Sequence, residues 1–175
     1  MDKTCFLIGF MGSGKTYWGT RLAERLGVPF VDLDDRIEVA EQRSIETIFQ
    51  QNGEAVFRQM ERNALHKLSL EQPSVVATGG GTPCFFDNMD WMNGQGTTVF
   101  LDTPVPVLSA RLRADPKTRP LLTGISSEQM EAHISRLLKQ RMPFYQIATV
   151  VVAGSDLLDL GELVQLVVGR KRSQR

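Results

Sequence analysis

The chain has 175 residues with 20 basic and 20 acidic side chains, so its net charge gives no reason to expect nucleic acid as the main partner. Its 42% hydrophobic and 23% charged content is that of an ordinary globular protein, and its length fits a single domain over residues 1–175. Two cysteines make no disulfide framework, no apolar run approaches the ~20 residues that span a membrane, and no secretory leader is recognisable. We therefore expect a monomer in the reducing cytoplasm, without membrane or nucleic-acid partners.

Apolar, β-rich segments alternate with helical stretches along the chain. Five strands are predicted, at TCFLIG, PFVDL, SVVATG, TTVFLD and ATVVVA. After the first strand a helix is predicted to Leu26, and helices to about Leu70 follow the second strand. A helix is predicted from about Pro104 after the fourth strand, and a final one after the fifth. Strands that alternate with helices favour a five-stranded parallel sheet covered on both faces, which is a three-layer α/β/α fold of the α/β class.

The first strand leads into GFMGSGKT, residues 9–16, whose glycines permit a concave loop with its N–H groups pointing inward. Such a nest at the start of a helix suits a multiply charged phosphate. The spacing Gly9-x-x-x-x-Gly14-Lys15-Thr16 is the P-loop pattern, in which the lysine reaches the β- and γ-phosphates and the threonine hydroxyl binds Mg²⁺. A plain flexible turn would need neither the lysine nor the threonine. The sequence therefore predicts a nucleoside triphosphate site.

Two segments are predicted as additions to this framework. In residues 33–70, Ser44 is expected to cap a helix that Asn52-Gly53 interrupts, and an apolar stripe follows, formed by Phe57, Met60, Ala64, Leu65 and Leu68. Residues 113–125, RADPKTRPLLTGI, are irregular and cationic and lie between helices. Composition leaves two interpretations of this second segment open, a lid and a plain surface connection.

Aspartates follow the second strand. Because strand residues alternate between faces, Asp32 and Asp34 are expected on one side at the carboxyl edge of the sheet, where ligands bind in open parallel sheets. One carboxylate there would hold Mg²⁺ through water, and the other would accept a proton or hydrogen bond from a substrate hydroxyl. The alternative is that an aspartate only caps the next helix, and Asp35 is the residue expected to do so.

The third strand ends in ATGGG, with glycines at positions 79–81. Three successive glycines are costly in backbone entropy. They are useful where a ligand packs directly on the main chain and takes hydrogen bonds from its N–H groups. A flexible loop is the alternative interpretation.

Two arginines taken alone favour structural roles. Arg58 has Glu54 four residues before it and Glu61 three after it, which is typical of a surface ion-pair ladder. Arg141 is expected at the end of a helix that Pro143 stops, where it would interact with the helix dipole.

Six motifs stand in the order and spacing of the shikimate kinases: GFMGSGKT, DLDD, FR at Phe57–Arg58, ATGGG, TRPLL and RMPFYQIA. The match runs from about Lys3 to Val152. The P-loop alone would identify only a superfamily, whereas the combination is specific, and the sequence resembles a shikimate kinase with the small P-loop fold of the nucleoside monophosphate kinases. The resemblance implies ATP-dependent phosphorylation of the 3-hydroxyl of shikimate, with Mg²⁺, in the pathway to chorismate and the aromatic amino acids.

The resemblance also implies a role for each matching residue. ATP would be held by Gly12, Ser13, Gly14, Lys15, Thr16, Tyr17, Arg111 and Arg119. The metal would be held by Thr16 and Asp32. Shikimate would be bound by Asp34, Arg58, Gly79, Gly80, Gly81 and Arg141. The catalytic residues would be Asp34, Lys15 and Arg119, the last of which would move with the lid toward the phosphates.

Two stretches depart from the family pattern. AGSDLLDL, after the fifth strand, lacks the arginine and proline that the family often has near the adenine, and FFDNMDWMNGQG at residues 85–96 matches no family feature. Two other functions stay open: a kinase of the same fold for another small metabolite such as gluconate, and a nucleotide-binding module without turnover. The presence of Lys15, Asp34 and Arg119 disfavours the second.

Overall fold

The computed structural model describes residues 1–115, 119–153 and 159–169. The strands are Cys5–Ile8 (β1), Phe30–Asp32 (β2), Val75–Ala77 (β3), Thr97–Asp102 (β4) and Val150–Ala153 (β5). They form one parallel sheet in the order β2-β3-β1-β4-β5. All of these strands lie within the five predicted segments, and the predicted fold class is confirmed.

The described helices lie between these strands and after the last of them. Within the described residues they are Lys15–Leu26 (α1), Leu33–Glu41 (α2), Ile45–His66 (α3), Asn88–Gln95 (α4), Val105–Ala114 (α5), Met130–Tyr145 (α6) and Leu160–Val168 (α7). None of them combines the length and apolar character needed to cross a membrane.

The core lies on both faces of the sheet because the strand residues alternate and both sides are apolar. On one face, Leu7 and Val99 pack with Leu22 of α1 and Leu163 of α7. On the other face, the side chains of β1, β3 and β4 pack against α2, α3, α4 and α6, with a cluster that includes Phe6, Val76, Phe100, Ile37, Ile48, Phe57, Leu65, Met92 and Tyr145. This arrangement gives the three layers and leaves the carboxyl edge of the sheet open for loops.

The start of α2 differs from its prediction. β2 ends at Asp32, and Asp32 is itself the N-cap, since its Oδ1 accepts a hydrogen bond from the N–H of Asp34 at 3.1 Å. The prediction that Asp35 caps this helix is therefore wrong. Asp34 lies in the first helical turn, not in an extended strand, so the alternation argument placed it near Asp32 for the wrong reason.

The helix α3 follows its prediction closely. Ser44 is the N-cap, and its hydroxyl accepts the N–H of Thr47 at 3.2 Å. Gly53 has φ of 77° and ψ of 173°, which makes a kink where the break was predicted, although helical residues continue on both sides. The helix ends at His66, four residues before the expected end at Leu70.

Two further helices correct the predictions. α6 continues through Pro143 to Tyr145, so the prediction that this proline stops the helix is wrong. Proline in the last turn removes one N–H donor, and the chain still closes the turn because the N–H of Gln146 bonds to the carbonyl of Met142. α4 occupies the stretch at residues 85–96 that matched no family feature. Parts of the predicted lid (116–118) and of the segment after β5 (154–158) lie outside the described residues.

Candidate active site

A cavity of about 400 Å³ opens at the carboxyl edge of the sheet. Its walls come from the P-loop, the start of α2, the helix α3, the glycine run after β3, residues 119–121 and the end of α6. The predicted site residues that line it are Thr16, Asp32, Asp34, Arg58, Gly79, Gly80, Gly81, Arg119 and Arg141. Segments far apart in sequence therefore meet in one place.

The P-loop has the backbone that its glycines predict. Gly9, Gly12 and Gly14 have φ of 144°, 80° and 95°, a region that side-chain-bearing residues rarely adopt. The buried Lys15 Nζ donates to the carbonyls of Gly9 at 3.0 Å and Phe10 at 2.9 Å, so the ammonium lies across its own loop.

One detail of the P-loop differs from the prediction that every N–H points inward. The N–H of Ser13 bonds to the carbonyl of Phe10 at 3.1 Å. The Ser13 hydroxyl is buried and has no hydrogen-bond partner among the described residues. The side chain of Ser13 is therefore directed into the protein.

Thr16 and Asp32, which were predicted to hold the metal, are hydrogen-bonded to each other. The Thr16 hydroxyl donates to Asp32 Oδ2 at 2.8 Å, while Oδ1 of the same carboxylate caps α2. Asp32 thus performs the capping role and still faces the P-loop. The described residues contain no group of three or more His, Cys, Asp or Glu side chains that could hold a metal by themselves. Hydroxyl and carboxylate oxygens are nevertheless the ligands that Mg²⁺ takes together with phosphate oxygens and water, so this pair fits that ion.

Asp34 and Lys15 perturb each other's pKa. Burial raises the pKa of Asp34 to about 7, with further increases from the charges of Glu61 and Asp32 and an opposing effect from Lys15. Burial lowers the pKa of Lys15 to about 8, against the opposing attraction of Asp34 and Asp32. Asp34 Oδ1 is buried and accepts no hydrogen bond from any described residue. A carboxylate with a pKa near 7 and an oxygen that accepts no hydrogen bond suits a general base.

Arg58 makes both predicted ion pairs, yet it does not lie on the surface. Its Nη2 lies 2.7 Å from Glu54 Oε1 and its Nη1 lies 2.6 Å from Glu61 Oε2. The arginine side chain is 4% exposed and Glu61 is 1% exposed, whereas Glu54 is 45% exposed. The ladder interpretation is thus right about the partners and wrong about the environment.

Glu61 is a cavity residue that sequence reasoning named only as a partner of Arg58. Its second oxygen, Oε1, accepts the hydroxyl of Thr82 at 2.5 Å, so both carboxylate oxygens have partners. The Phe85 ring adds a contact at 4.6 Å from Arg58 Cζ. The sequence carried no signal for the phenylalanine, because it lies in the stretch that matched no family feature.

Arg141 reaches the same cavity from α6 and is 7% exposed. Its Cζ lies 5.3 Å from the centre of the Phe10 ring, and its buried Nη1 has no hydrogen-bond partner in the described parts of the chain. A surface interaction with the helix dipole does not describe this environment. Since a buried cationic donor without a partner is costly, the atom fits a position where an anion binds.

The glycine run is required by its neighbours. A Cβ at Gly79 would overlap the carboxylates of Glu61 and Asp34, and one at Gly81 would overlap the Arg58 guanidinium. The prediction held that a ligand would pack on the bare backbone. The structure adds that the site's own charged side chains already take up the space where the Cβ atoms would be.

Arg119 lines the cavity together with Pro120 and Leu121. It is paired with Asp115, and its buried Nε has no hydrogen-bond partner within the described segments. The described part of the predicted lid therefore borders the site.

A second cavity, also of about 400 Å³, lies beside Gly14 of the P-loop. It is lined by Gly14, Tyr17, Trp18 and Arg111. Nη1 of Arg111 donates to the carbonyl of Gly12 at 3.1 Å, so the guanidinium is placed against the loop. Tyr17 and Arg111 are thus separated from the cavity that holds Asp34.

Residues 11–169 match the family model described as shikimate kinase. The shikimate kinase of Parabacteroides distasonis is 44% identical over 156 residues, which is 89% of this chain and 90% of that protein.

Two solved structures are similar in sequence and in fold. Shikimate kinase from Bacteroides thetaiotaomicron has a TM-score of 0.85 at 40% identity, covering 93% of this chain and 94% of that one. Shikimate kinase from Acinetobacter baumannii in complex with shikimate has a TM-score of 0.84 at 36% identity, covering 95% and 93%.

Proposed function

The chain belongs to the shikimate kinase family, and we propose that it transfers the γ-phosphoryl group of ATP to the 3-hydroxyl of shikimate, giving shikimate 3-phosphate and ADP. The observation that carries the proposal is the meeting of two buried arginines, an unpartnered aspartate and a P-loop around one cavity. Each of these groups matches one part of the reaction.

The arginine wall suits the substrate carboxylate. Arg58 and Arg141 come from different helices, and both guanidinium groups line the cavity. Planar guanidinium groups bind carboxylates through charge-assisted hydrogen bonds of good geometry. Nη1 of Arg141 has no partner among the described residues and is therefore the donor best placed to bind the carboxylate of the substrate, while Arg58 is already held by two glutamates.

The acceptor hydroxyl would meet Asp34. Oδ1 of Asp34 accepts no hydrogen bond from the described residues, and the raised pKa of Asp34 keeps the carboxylate basic enough to take a proton near pH 7. We assign Asp34 to orientation and deprotonation of the hydroxyl, and the N–H groups of residues 79–81 to hydrogen bonding with the substrate.

The phosphates would lie on the P-loop. Lys15 would exchange the carbonyls of Gly9 and Phe10 for phosphate oxygens, and its charge would stabilise the transition state. A bound Mg²⁺ would neutralise phosphate charge, and Thr16 and Asp32 are the residues placed to hold it. In this proposal Gly12 and Gly14 contribute to the phosphate nest, and Ser13, whose own N–H bonds to the carbonyl of Phe10, holds the loop in shape between them.

The nucleotide would continue into the second cavity. Arg111 and Tyr17 line that cavity beside Gly14, so we assign them to the adenosine end of ATP. Arg119 is assigned to the phosphates, and residues 113–125 to a lid that excludes water during transfer.

The proposal keeps three further expectations. Residues 1–175 form one P-loop kinase domain, in which residues 33–70 hold shikimate, and the protein works as a cytoplasmic monomer. Cys5 and Cys84 are both free thiols, in keeping with a reducing compartment. Size-exclusion chromatography with light scattering would test the oligomeric state, and the mass of a single chain is the expected result.

A coupled assay of ADP release tests the reaction. Shikimate should support turnover in the presence of Mg²⁺ and ATP, whereas gluconate should not. Methyl shikimate is the matched substrate control, since it keeps the ring and hydroxyls and removes the charge that Arg58 and Arg141 would bind. Equal rates with gluconate would indicate another metabolite kinase, and no ADP release with either compound would indicate a binding module.

A further inference from the structure

The last turn of α6 carries a second residue that reaches the glycine run. Tyr145 is fully buried, and its ring stacks on Phe100 of β4 with 4.9 Å between ring centres. Its hydroxyl donates to the carbonyl of Gly80 at 2.5 Å. Tyr145 does not line the active-site cavity, whereas Gly80 and Gly81 do.

The carbonyl of Gly80 and the N–H of Gly81 belong to one peptide unit. The described chain has no cis peptide bonds, and in a planar trans unit these two groups point in opposite directions. Since Tyr145 holds the carbonyl from the protein interior, the N–H of Gly81 is directed away from that interior. No hydrogen bond of this N–H is found among the described residues, so it is available to a ligand in the cavity.

A glycine run needs such a restraint. Glycine adopts positive and negative φ with similar ease, so the Gly80–Gly81 peptide can rotate at low cost when nothing holds it. No side chain of residues 79–81 is present to resist that rotation. A hydrogen bond from a buried, stacked tyrosine stabilises one orientation and also satisfies a carbonyl that faces the interior.

The same helix turn places the anion site. Arg141 and Tyr145 are four residues apart on α6 and therefore lie on one face of the helix. Nη1 of Arg141 lies 3.5 Å from the position that a Cβ of Gly80 would occupy. The guanidinium and the glycine peptide are thus held against each other by one rigid element.

We propose that Tyr145 is a positioning residue for shikimate binding: its hydroxyl sets the orientation of the Gly80–Gly81 peptide, so that the Gly81 N–H and the Arg141 guanidinium meet the substrate together. This inference rests on the proposed function. It adds a residue outside the cavity lining, which acts through the main chain of Gly80 and through the interaction of its hydroxyl with the Arg141 side chain.

Tyr145→Phe tests the inference because it removes the hydroxyl and keeps the stacked ring. KM and the calorimetric Kd for shikimate should both rise about 3- to 10-fold, the change expected for one lost hydrogen bond. KM for ATP and kcat should stay within about twofold, since the lost interaction serves the ground state and the transition state alike.

Thr149→Val is the matched control. The Thr149 hydroxyl donates to the carbonyl of Thr98 at 2.8 Å, where β4 and β5 begin, at the opposite edge of the sheet. This variant loses a hydroxyl–carbonyl hydrogen bond like that of Tyr145, together with the bond that the same hydroxyl oxygen accepts from the N–H of Thr98 at 2.9 Å. Its shikimate KM should nevertheless be that of the wild type, because the site is remote from the cavity.

The outcomes separate the two proposals. Suppose that the wild type is active. If the Tyr145→Phe variant then has a Kd for shikimate within twofold of the wild-type value, or loses affinity for shikimate and ATP equally, the positioning role is overturned and the proposed function stays intact. A wild type that does not phosphorylate shikimate overturns the proposed function and, with it, this inference.

Discussion

Arg58 and Glu61 form a buried ion pair in the wall of the active-site cavity, with 2.6 Å between Nη1 and Oε2. Glu54 pairs with the same guanidinium from the solvent side. The two glutamates thus offer one arginine a buried partner and an exposed one. Their energetic contributions should differ accordingly.

Glu61→Ala should lower the free energy of unfolding by about 3–5 kcal/mol, because it leaves a buried guanidinium without its buried counter-charge. Glu54→Ala is the matched control and should cost about 1 kcal/mol or less, since that carboxylate is exposed. Urea denaturation of the two variants measures both values. Equal losses would contradict the difference in environment.

Most of the fold could be predicted because the strands are short apolar runs between glycine-rich or polar turns. The helix α4 could not, since in NMDWMNGQ Met89 and Met92 are the only buried apolar residues of that helix, and two are too few to show a helical period. The burial of Arg58 was also out of reach, because the spacing of Glu54 and Glu61 is the same for a surface ladder and for a cavity wall.

In the candidate site, too, residues with a local sequence signal could be predicted, and residues that depend on long-range contacts could not. The P-loop was found because its residue types are required locally, at a fixed spacing. Asp34 was found although β2 ends before it, since the first turn of α2 keeps it at the same edge of the sheet. Tyr145 was missed because its hydrogen bond to Gly80 joins residues 65 positions apart, and only the folded chain brings them together.

The two arginines of the cavity should respond differently to removal of charge. Arg58→Leu and Arg141→Leu should each weaken shikimate binding by about 2–5 kcal/mol, with little effect on ATP. Stability should separate them. Arg58→Leu leaves Glu61 buried without its ion-pair partner and should destabilise the protein, whereas Arg141→Leu removes a guanidinium with an unpartnered buried donor.

Calorimetric titrations with each ligand, together with urea denaturation, measure these effects. Loss of ATP affinity equal to the loss of shikimate affinity would place the arginines in the nucleotide site. Equal destabilisation by both substitutions would contradict the assignment of Arg141 as the arginine with a free donor.

Lys15→Met should reduce kcat at least ~10²-fold, because it removes the cation that stabilises charge on the transferred group. The flexible methionine fills the space of the lysine stem, so the circular dichroism spectrum should stay unchanged. Lys3→Met, at an exposed position, is the control and should keep wild-type turnover. A Lys15→Met variant with more than a tenth of wild-type activity would contradict the P-loop assignment.

The perturbed pKa values of Asp34 and Lys15 predict the pH dependence of kcat/KM. As pH falls through about 7, Asp34 becomes protonated and can no longer accept the proton of the hydroxyl, so the rate should fall. As pH rises through about 8, Lys15 loses its charge, and the rate should fall again. A bell-shaped profile with limbs near these values is expected, and a rate that stays flat from pH 6 to 9 would contradict it.

The raised pKa of Asp34 also makes the stability of the folded protein depend on pH. The pKa of Asp34 is raised from 3.8 in the unfolded chain to about 7 in the folded one, so the folded state binds the proton more tightly. The stability that Asp34 contributes is therefore greatest below pH 4 and is lost as pH rises to 7. Asp34→Asn should remove this contribution. Urea denaturation at pH 5 and pH 8 should therefore show that the wild type loses more stability between these pH values than the Asp34→Asn variant does.

Asp34→Asn also decides whether the aspartate is a base or only a ligand for the substrate. Asparagine keeps the size and one hydrogen-bond acceptor but carries no charge and cannot take the proton. A positioned base contributes about 10²–10⁴-fold to the rate, so kcat should fall at least ~10²-fold while shikimate still binds, several-fold more weakly. The residual rate should also lose the limb near pH 7. Near-normal turnover with only weaker binding would make Asp34 a binding residue, and positioning by Arg58, Arg141 and the P-loop would then carry the catalysis.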